Sequence, residues 1–446
     1  MKKFFFFLVT ISFHVISFSQ SLSEKLSQYF EAAQKAEIFN GSVMVAKGGN
    51  VLINEGFGFK NAEAKTLNDS NTIYRVGSVT KQFTSTIILK LAEQGKLSLN
   101  DKLSRYFPDL PYAKQITIEN LLTHTSGIYN YTNDTGFMQH DVEKAVTQQK
   151  IISMFEDKPL EFTPGSKFSY SNSGYMLLGY IIEKVTGKKY EKVVRENIFN
   201  PLGMTNSGFD FTHLNNTNRA TGYDVIPGTT SVKSMIVDSS VSFAAGAVYS
   251  TSRDMYKWNQ SLLTEKILKK ASLENAFKPR LSKYGLGLAI DTIEGKRIIT
   301  HNGGIHGFLS HNTIIPADSI SITILSNAGS ANMGQIQKDV FSILYNKPYK
   351  LPEVHKAIAV NAAVLQQYAG EYELSPAFII TITLVDGSLK AQATGQPQFD
   401  LFAESENRFF LKVVDAQVEF VKNGKGEVDK LILHQNGQHL PGKKIK

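Results

Sequence analysis

A chain of 446 residues with 42% hydrophobic and 20% charged positions has the make-up of a folded globular protein, long enough for a large domain and a smaller one. That balance excludes extended disorder and coiled coil. The formal charge of +8 comes from lysines spread along the chain, with one dense cluster at Gly442-Lys443-Lys444-Ile445-Lys446, and no aromatic-basic interleaving accompanies it, which argues against a nucleic-acid partner.

The first element is a leader. Met1-Lys2-Lys3 precedes an apolar run over 4–18, and Ser17-Phe18-Ser19 offers the small residues of a cleavage site, so residues 1–19 read as a signal peptide and the mature chain begins near Gln20. The run is shorter than the ~20 apolar residues of a membrane span, so no stable membrane anchor is expected after cleavage. With no cysteine the chain can form no disulfide and carries no cysteine to lipidate, so the expected product is a periplasmic or secreted protein that is not a lipoprotein.

An amphipathic helix is expected over 22–36, then a hairpin with arms 41–46 and 51–55 around Lys47-Gly48-Gly49-Asn50. A strand-like Ile73-Tyr74-Arg75-Val76 leads through Gly77 into Ser78-Val79-Thr80-Lys81, the only Ser-x-x-Lys in the chain. It opens an apolar helix closed by Gln94-Gly95. Residues three apart on a helix share a face, so the Lys81 amine reaches the Ser78 hydroxyl and, if desolvation lowers its pKa, takes the proton during attack. Free N–H groups at the helix start favour the negative charge that develops.

From residue 83 to about 258 the reading is mostly helical, with long loops. Within this stretch Tyr170-Ser171-Asn172 follows Pro164-Gly165 and precedes a buried helix: a phenol for proton transfer and an amide to hold Lys81 or a substrate carbonyl. A second copy, Tyr131-Thr132-Asn133, reads as part of a polar loop. Strand character returns over 284–290, 297–300, 312–315 and 321–325. His301-Asn302-Gly303-Gly304 comes directly after the second of these; glycine there lets a substrate backbone lie along the strand edge, and the Gly304 N–H is placed to share an oxyanion with the Ser78 N–H.

Strands at both ends of this region, bracketing helices, imply an α+β domain over 20–346: an antiparallel sheet flanked by helices, with an inserted helical subdomain and the site at the seam. A proline-bearing stretch makes 347–363 a linker. Short strands over 364–446, including a hairpin at Asp386-Gly387, fit a small all-β barrel without chemistry of its own.

The three motifs together resemble the serine β-lactamase and penicillin-binding-protein superfamily. Tyr-x-Asn as second box and His-x-Gly as third are similar to the branch with class C β-lactamases, D-Ala-D-Ala carboxypeptidases, D-aminopeptidases and related esterases. Leu121-Leu122-Thr123-His124-Thr125-Ser126-Gly127-Ile128, Pro201-Leu202-Gly203-Met204 and Ala245-Gly246-Ala247-Val248-Tyr249-Ser250-Thr251 extend the likeness over about 41–346, and the tail looks like the lipocalin-like barrels appended to such hydrolases. The resemblance implies Ser78 as acylated nucleophile, Lys81 as activating amine, Tyr170 as proton shuttle and activator of the deacylating water, Asn172 as orienting amide, His301 in the third-box position, Gly303 and Gly304 at the substrate and oxyanion side, and a structural role for His124. Lys81 and Tyr170 both stay open as the acylation base.

No metal or cofactor is called for. The expected partner is a small peptide, amide or ester, with peptidoglycan as a source. Histidine at 301, where dedicated lactamases carry lysine, supplies no fixed cation near pH 7, so efficient β-lactam hydrolysis is not expected. An esterase or weak β-lactamase of the same fold, and an inert peptidoglycan-binding or peptide-binding protein, fit the composition as alternatives. His306, Phe308, Ser310, Tyr284 and Tyr223 are the expected further pocket residues.

Overall fold

The computed structural model describes residues 20–227, 232–293, 295–412, 416–435 and 438–446; the leader read at 1–19 lies outside them. Helix α1, Leu22–Lys35, starts on a capping box in which the Ser21 hydroxyl accepts from the Glu24 N–H and Glu24 reaches back to the Ser21 N–H. Its buried face is Leu26, Tyr29, Phe30 and Ala33, spaced for one side of a helix. Strands β1, Gly41–Lys47, and β2, Asn50–Phe57, form the expected hairpin. A two-residue strand β3, Tyr74–Arg75, precedes helix α2, Thr80–Glu93, in which every residue from Thr80 to Leu89 is buried.

Helix α3 is Asn172–Thr186; the kinked segment α4, Ser239–Gly246, leads to β4, Tyr249–Ser250, which pairs with β3. After α5, Ser252–Leu263, come β5, Ala289–Ile293, β6, Lys296–Ile305, β7, Phe308–Ile315, and β8, Ile320–Ser326, then α6, Met333–Leu344. The six long strands make one antiparallel sheet in the order β2-β1-β8-β7-β6-β5. β1 runs beside β8 from Gly41↔Ser326 to Lys47↔Ile320, so the sheet joins the two ends of the domain as expected.

Alternation sorts the strand side chains onto two faces. Val43, Val45, Ile322 and Ile324 pack outward with Phe30 of α1 and Val340 of α6. Ile299, Ile314 and Leu325 face inward, where they share a core with Phe83 and Ile87 of α2 and Tyr175 and Ile181 of α3.

Three local expectations are corrected. Residues 284–288 are not strand; they are drawn onto α2, where Ser85 donates to the Leu286 carbonyl at 2.6 Å and a Cβ on Gly287 (φ +83°) would lie 2.9 Å from the Lys81 carbonyl. β6 does not end at Thr300 but continues to Ile305, because β7 pairs with it as far as Ile305↔Phe308. Tyr131 does not sit in a polar loop but opens a 3-10 turn, Tyr131–Asn133. It is buried, its hydroxyl donating to the Val241 carbonyl at 2.6 Å.

Helix α7, Ala362–Tyr368, leads into eight strands that close into an antiparallel barrel: β9, Gly370–Ser375; β10, Phe378–Val385; β11, Ser388–Ala393; β12, Gln398–Ala403; β13, Arg408–Phe410; β14, Ala416–Lys422; β15, Val428–Gln435; β16, Gln438–Lys444. Its interior is filled. Leu365 and Tyr368 of α7 join the barrel core, and the Tyr368 ring stacks 4.2 Å from that of Phe420. No helix among the described residues is long and apolar enough to cross a membrane.

Candidate active site

Ser78 lies in a single 3-10 turn, Gly77–Val79, between β3 and α2. Gly77 is held at φ +51°, and a Cβ there would come 2.9 Å from the Gly304 nitrogen, so the glycine lets the turn approach β6 closely. One turn on, Lys81 is fully buried. Its Nζ lies 3.1 Å from Ser78 Oγ, 2.8 Å from Asn172 Oδ1 and 2.8 Å from the Ala245 carbonyl. The rings of Tyr170 and Tyr175 lie 4.8 Å and 5.4 Å from it. Burial without a carboxylate partner drives the Lys81 pKa well below its ordinary value.

Asn172 is the first residue of α3. Its N–H donates to Asn130 Oδ1 at 3.0 Å and its Nδ2 to Thr132 Oγ1 at 3.1 Å, which fixes the amide so that the oxygen faces Lys81. Tyr170 is mostly buried, and burial raises its pKa above the ordinary phenol value; its hydroxyl makes no hydrogen bond in the resting site, although it is near enough to Ser78 for that hydroxyl to offset part of the shift.

His301 sits on the inward face of β6. Its Nδ1 lies 2.6 Å from the Asn302 carbonyl, which requires a proton on Nδ1, and its Nε2 lies 2.8 Å from the Tyr284 hydroxyl, which then donates. Burial first, and the nearby Lys81 second, lower its pKa to about 3, so the imidazole is neutral near pH 7. Gly303 follows against the turn that carries Ser78. A Cβ there would meet the Val76 carbonyl at 2.0 Å and Ser310 Oγ at 2.3 Å. Gly304 is exposed beside Gly77, and β5 pairs with β6 only through Thr300, leaving 301–305 with an open edge on that side.

Ser78, Lys81, Tyr170, Asn172, His301, Gly303 and Gly304 are thus brought together from three separate stretches of chain. Of the five further pocket residues expected, Tyr284 joins them through His301. Ser310 is a brace, donating to the Val76 carbonyl at 2.8 Å, and Phe308 packs against Phe211 with ring centres 5.4 Å apart. Tyr223 turns away to Glu63 at 2.8 Å, and His306 is half-buried on the turn after Gly304. Sequence reasoning missed Asn130, Thr132, Tyr175 and the Ala245 carbonyl. The discarded Tyr-Thr-Asn copy contained Thr132, and Ala245 stood in a recognised family signature. Among the described residues no group of three or more His, Asp or Glu side chains is placed to hold a metal ion.

Residues 26–344 match the family model described as Beta-lactamase, and residues 354–444 match the Domain of unknown function DUF3471. The chain is 30% identical over 443 residues to Penicillin-binding protein 4* of Bacillus subtilis strain 168, covering 94% of this chain and 98% of that one. Among solved structures it is similar to the octameric penicillin-binding protein homologue from Pyrococcus abyssi, with a TM-score of 0.66 and 26% identity over 94% of this chain and 99% of the other. It is also similar to the D-amino acid amidase of Ochrobactrum anthropi SV3, with a TM-score of 0.65 and 25% identity over 73% of this chain and 99% of the other. Fold and relatives together define a serine hydrolase of the kind that includes penicillin-binding proteins. The chain belongs to the Beta-lactamase family.

Proposed function

We propose that the protein hydrolyses peptide, amide or ester bonds through an acyl-enzyme on Ser78, most like a D-Ala-D-Ala carboxypeptidase or a D-aminopeptidase. The observation that carries this reading is the hydrogen-bond geometry of Lys81. A neutral amine has two N–H donors and one lone pair; Asn172 Oδ1 and the Ala245 carbonyl, acceptors both, take the two donors, so the lone pair is left for Ser78 Oγ at 3.1 Å. The lowered pKa supplies that neutral form, whereas burial keeps Tyr170 protonated. This favours Lys81 as the acylation base.

In acylation the Ser78 proton passes to Lys81 while Oγ bonds to the substrate carbonyl carbon. The oxyanion is met by the Ser78 and Gly304 N–H groups, the first being free of an intrahelical acceptor. Tyr170 gives its phenolic proton to the leaving nitrogen or oxygen, the carbon–leaving-group bond breaks, and the Lys81 ammonium returns a proton to Tyr170. In deacylation water attacks the ester carbon, its proton goes to Lys81, and Ser78 Oγ recovers it on leaving. The open edge at 301–305 supports an extended acyl chain added alongside β6. A neutral His301 supports substrates that need no fixed cation at that position, and the likeness to an amidase supports amide cleavage.

In this reading 1–19 directs export, 347–363 is the linker, and the barrel over 364–446 is a non-catalytic module. Intact mass after incubation with benzylpenicillin tests the nucleophile: a covalent adduct is expected on the native protein and none on Ser78→Ala. Failure of both benzylpenicillin and p-nitrophenyl acetate to acylate the native protein would overturn it in favour of an inert binder. A cephalosporin kcat/KM equal to that of a dedicated lactamase would refute the expectation that efficient β-lactam hydrolysis is not its activity.

A further inference from the structure

We propose that His124 is the positioning residue of Tyr170, fixing the phenol at the angle from which it serves Ser78. The inference rests on the reading of Tyr170 as a proton carrier. The Tyr170 hydroxyl makes no hydrogen bond in the resting site and only lies near Ser78, so the tip of the side chain does not by itself fix the ring. Its direction is set from the other end.

His124 acts there in three ways. Its main-chain carbonyl accepts the Ser169 N–H at 2.9 Å, and its Nδ1 accepts the Ser171 N–H at 3.1 Å, so the residues on both sides of Tyr170 are tied to one histidine. The imidazole then lies along the Tyr170 ring, with centres 4.1 Å apart and planes 32° from parallel. His124 is the residue after Thr123, the C-cap of a short helix, Ile118–Leu122, and its left-handed backbone, φ +56°, ends that helix, so the imidazole is carried at a fixed helix terminus. The rings of Tyr175 and Tyr284 pack around it at 5.1 Å and 4.8 Å, and it is 1% exposed.

Because Nδ1 accepts a backbone hydrogen bond, the ring proton sits on Nε2, which has no partner. Neither nitrogen is hydrogen-bonded to Ser78 or Lys81. His124 is therefore not a base of the reaction, and its contribution passes through Tyr170.

A double-mutant cycle separates this from a general structural role. His124→Phe keeps a ring against Tyr170 but removes the acceptor for Ser171; His124→Asn keeps an acceptor near the Nδ1 position but removes the ring. Each is combined with Tyr170→Phe, and steady-state turnover of D-alanine p-nitroanilide, whose leaving nitrogen must be protonated to depart, is followed from pH 6 to 9. Each His124 variant is expected to lower kcat about tenfold with little change in KM in the native background, and less than about twofold on top of Tyr170→Phe. Equal losses in both backgrounds would overturn the inference while leaving the role of Tyr170 standing. Undiminished kcat in Tyr170→Phe alone would instead overturn the reading of Tyr170, and the inference with it. Should His124→Phe fail to fold, the His124→Asn arm gives the same comparison.

Discussion

Replacing Asn172 by aspartate keeps the shape of the side chain and places a formal negative charge 2.8 Å from the Lys81 amine. The local geometry survives, since the Thr132 hydroxyl that now accepts from Nδ2 can turn and donate to the new carboxylate. At that distance and an effective dielectric constant of about 20, an ion pair is worth about 6 kcal/mol, equivalent to raising the Lys81 pKa by about four pH units. Desolvation of the new carboxylate works against this, and a quarter of the effect is still about one unit. Acylation needs the neutral amine, so its rate rises with pH through the Lys81 pKa and levels off above it. The burst phase of p-nitrophenyl acetate hydrolysis, measured from pH 6 to 10, is expected to shift its rising limb one to four units to the alkaline side. At neutral pH the burst rate falls about tenfold or more and recovers toward the native plateau at high pH. A superimposable profile, or an equal loss at every pH, would refute Lys81 as the base held neutral by its surroundings.

Gly303→Ala forces a methyl to within 2.0 Å of the Val76 carbonyl, so β6 must separate from the turn that bears Ser78; a loss of about 1–3 kcal/mol by calorimetry and of acylation by intact mass is expected. His301 and His311 have folded pKa values of about 3 and about 4, below the unfolded value near 6.5, so the unfolded chain binds more protons between these limits. Stability present above about pH 6.5 is therefore lost as pH falls toward 4, at up to about 1.4 kcal/mol per unit for each histidine, and urea midpoints from pH 7 to 4 measure it; His311→Gln should flatten the slope. Tyr368→Ala removes the ring stacked on Phe420 and should destabilise the barrel by about 3–5 kcal/mol, read as a lower melting transition, with the rate of Ser78 acylation unchanged.

The parts of the site legible in the sequence were those whose chemistry is carried by side chains at short fixed spacing. Ser78 and Lys81 are one helical turn apart, Tyr170 and Asn172 two residues apart, and His301 and Gly303 on one strand. Their partners were hidden because they depend on distant chain or on main-chain atoms. The Ala245 carbonyl lies 164 residues from Lys81, in a segment where Phe243 is bent to φ +31° and ψ −126°, and no residue type announces a carbonyl direction. Tyr131 looked like a loop residue because its neighbours are polar. Those neighbours, Asn130 and Thr132, are polar because they hold Asn172. The extended reading of 284–288 failed for a related reason: the alternating glycines there serve close approach, Gly285 to the Ala276 carbonyl and Gly287 to α2, not the pleat of a strand.

The filled interior of the barrel bears on how its sequence can drift. In β14, Ala416, Val418 and Phe420 are buried while Gln417, Glu419 and Val421 lie closer to solvent, and strand geometry extends that alternation around the wall. Substitutions at inward positions must preserve volume, because Tyr368 and Leu365 already share the core with the strand side chains. Outward positions are bound by no such rule. Descendants of this chain should therefore diverge along the barrel with a period of two residues, and any stretch of the outer wall that fails to vary would mark the surface the barrel uses.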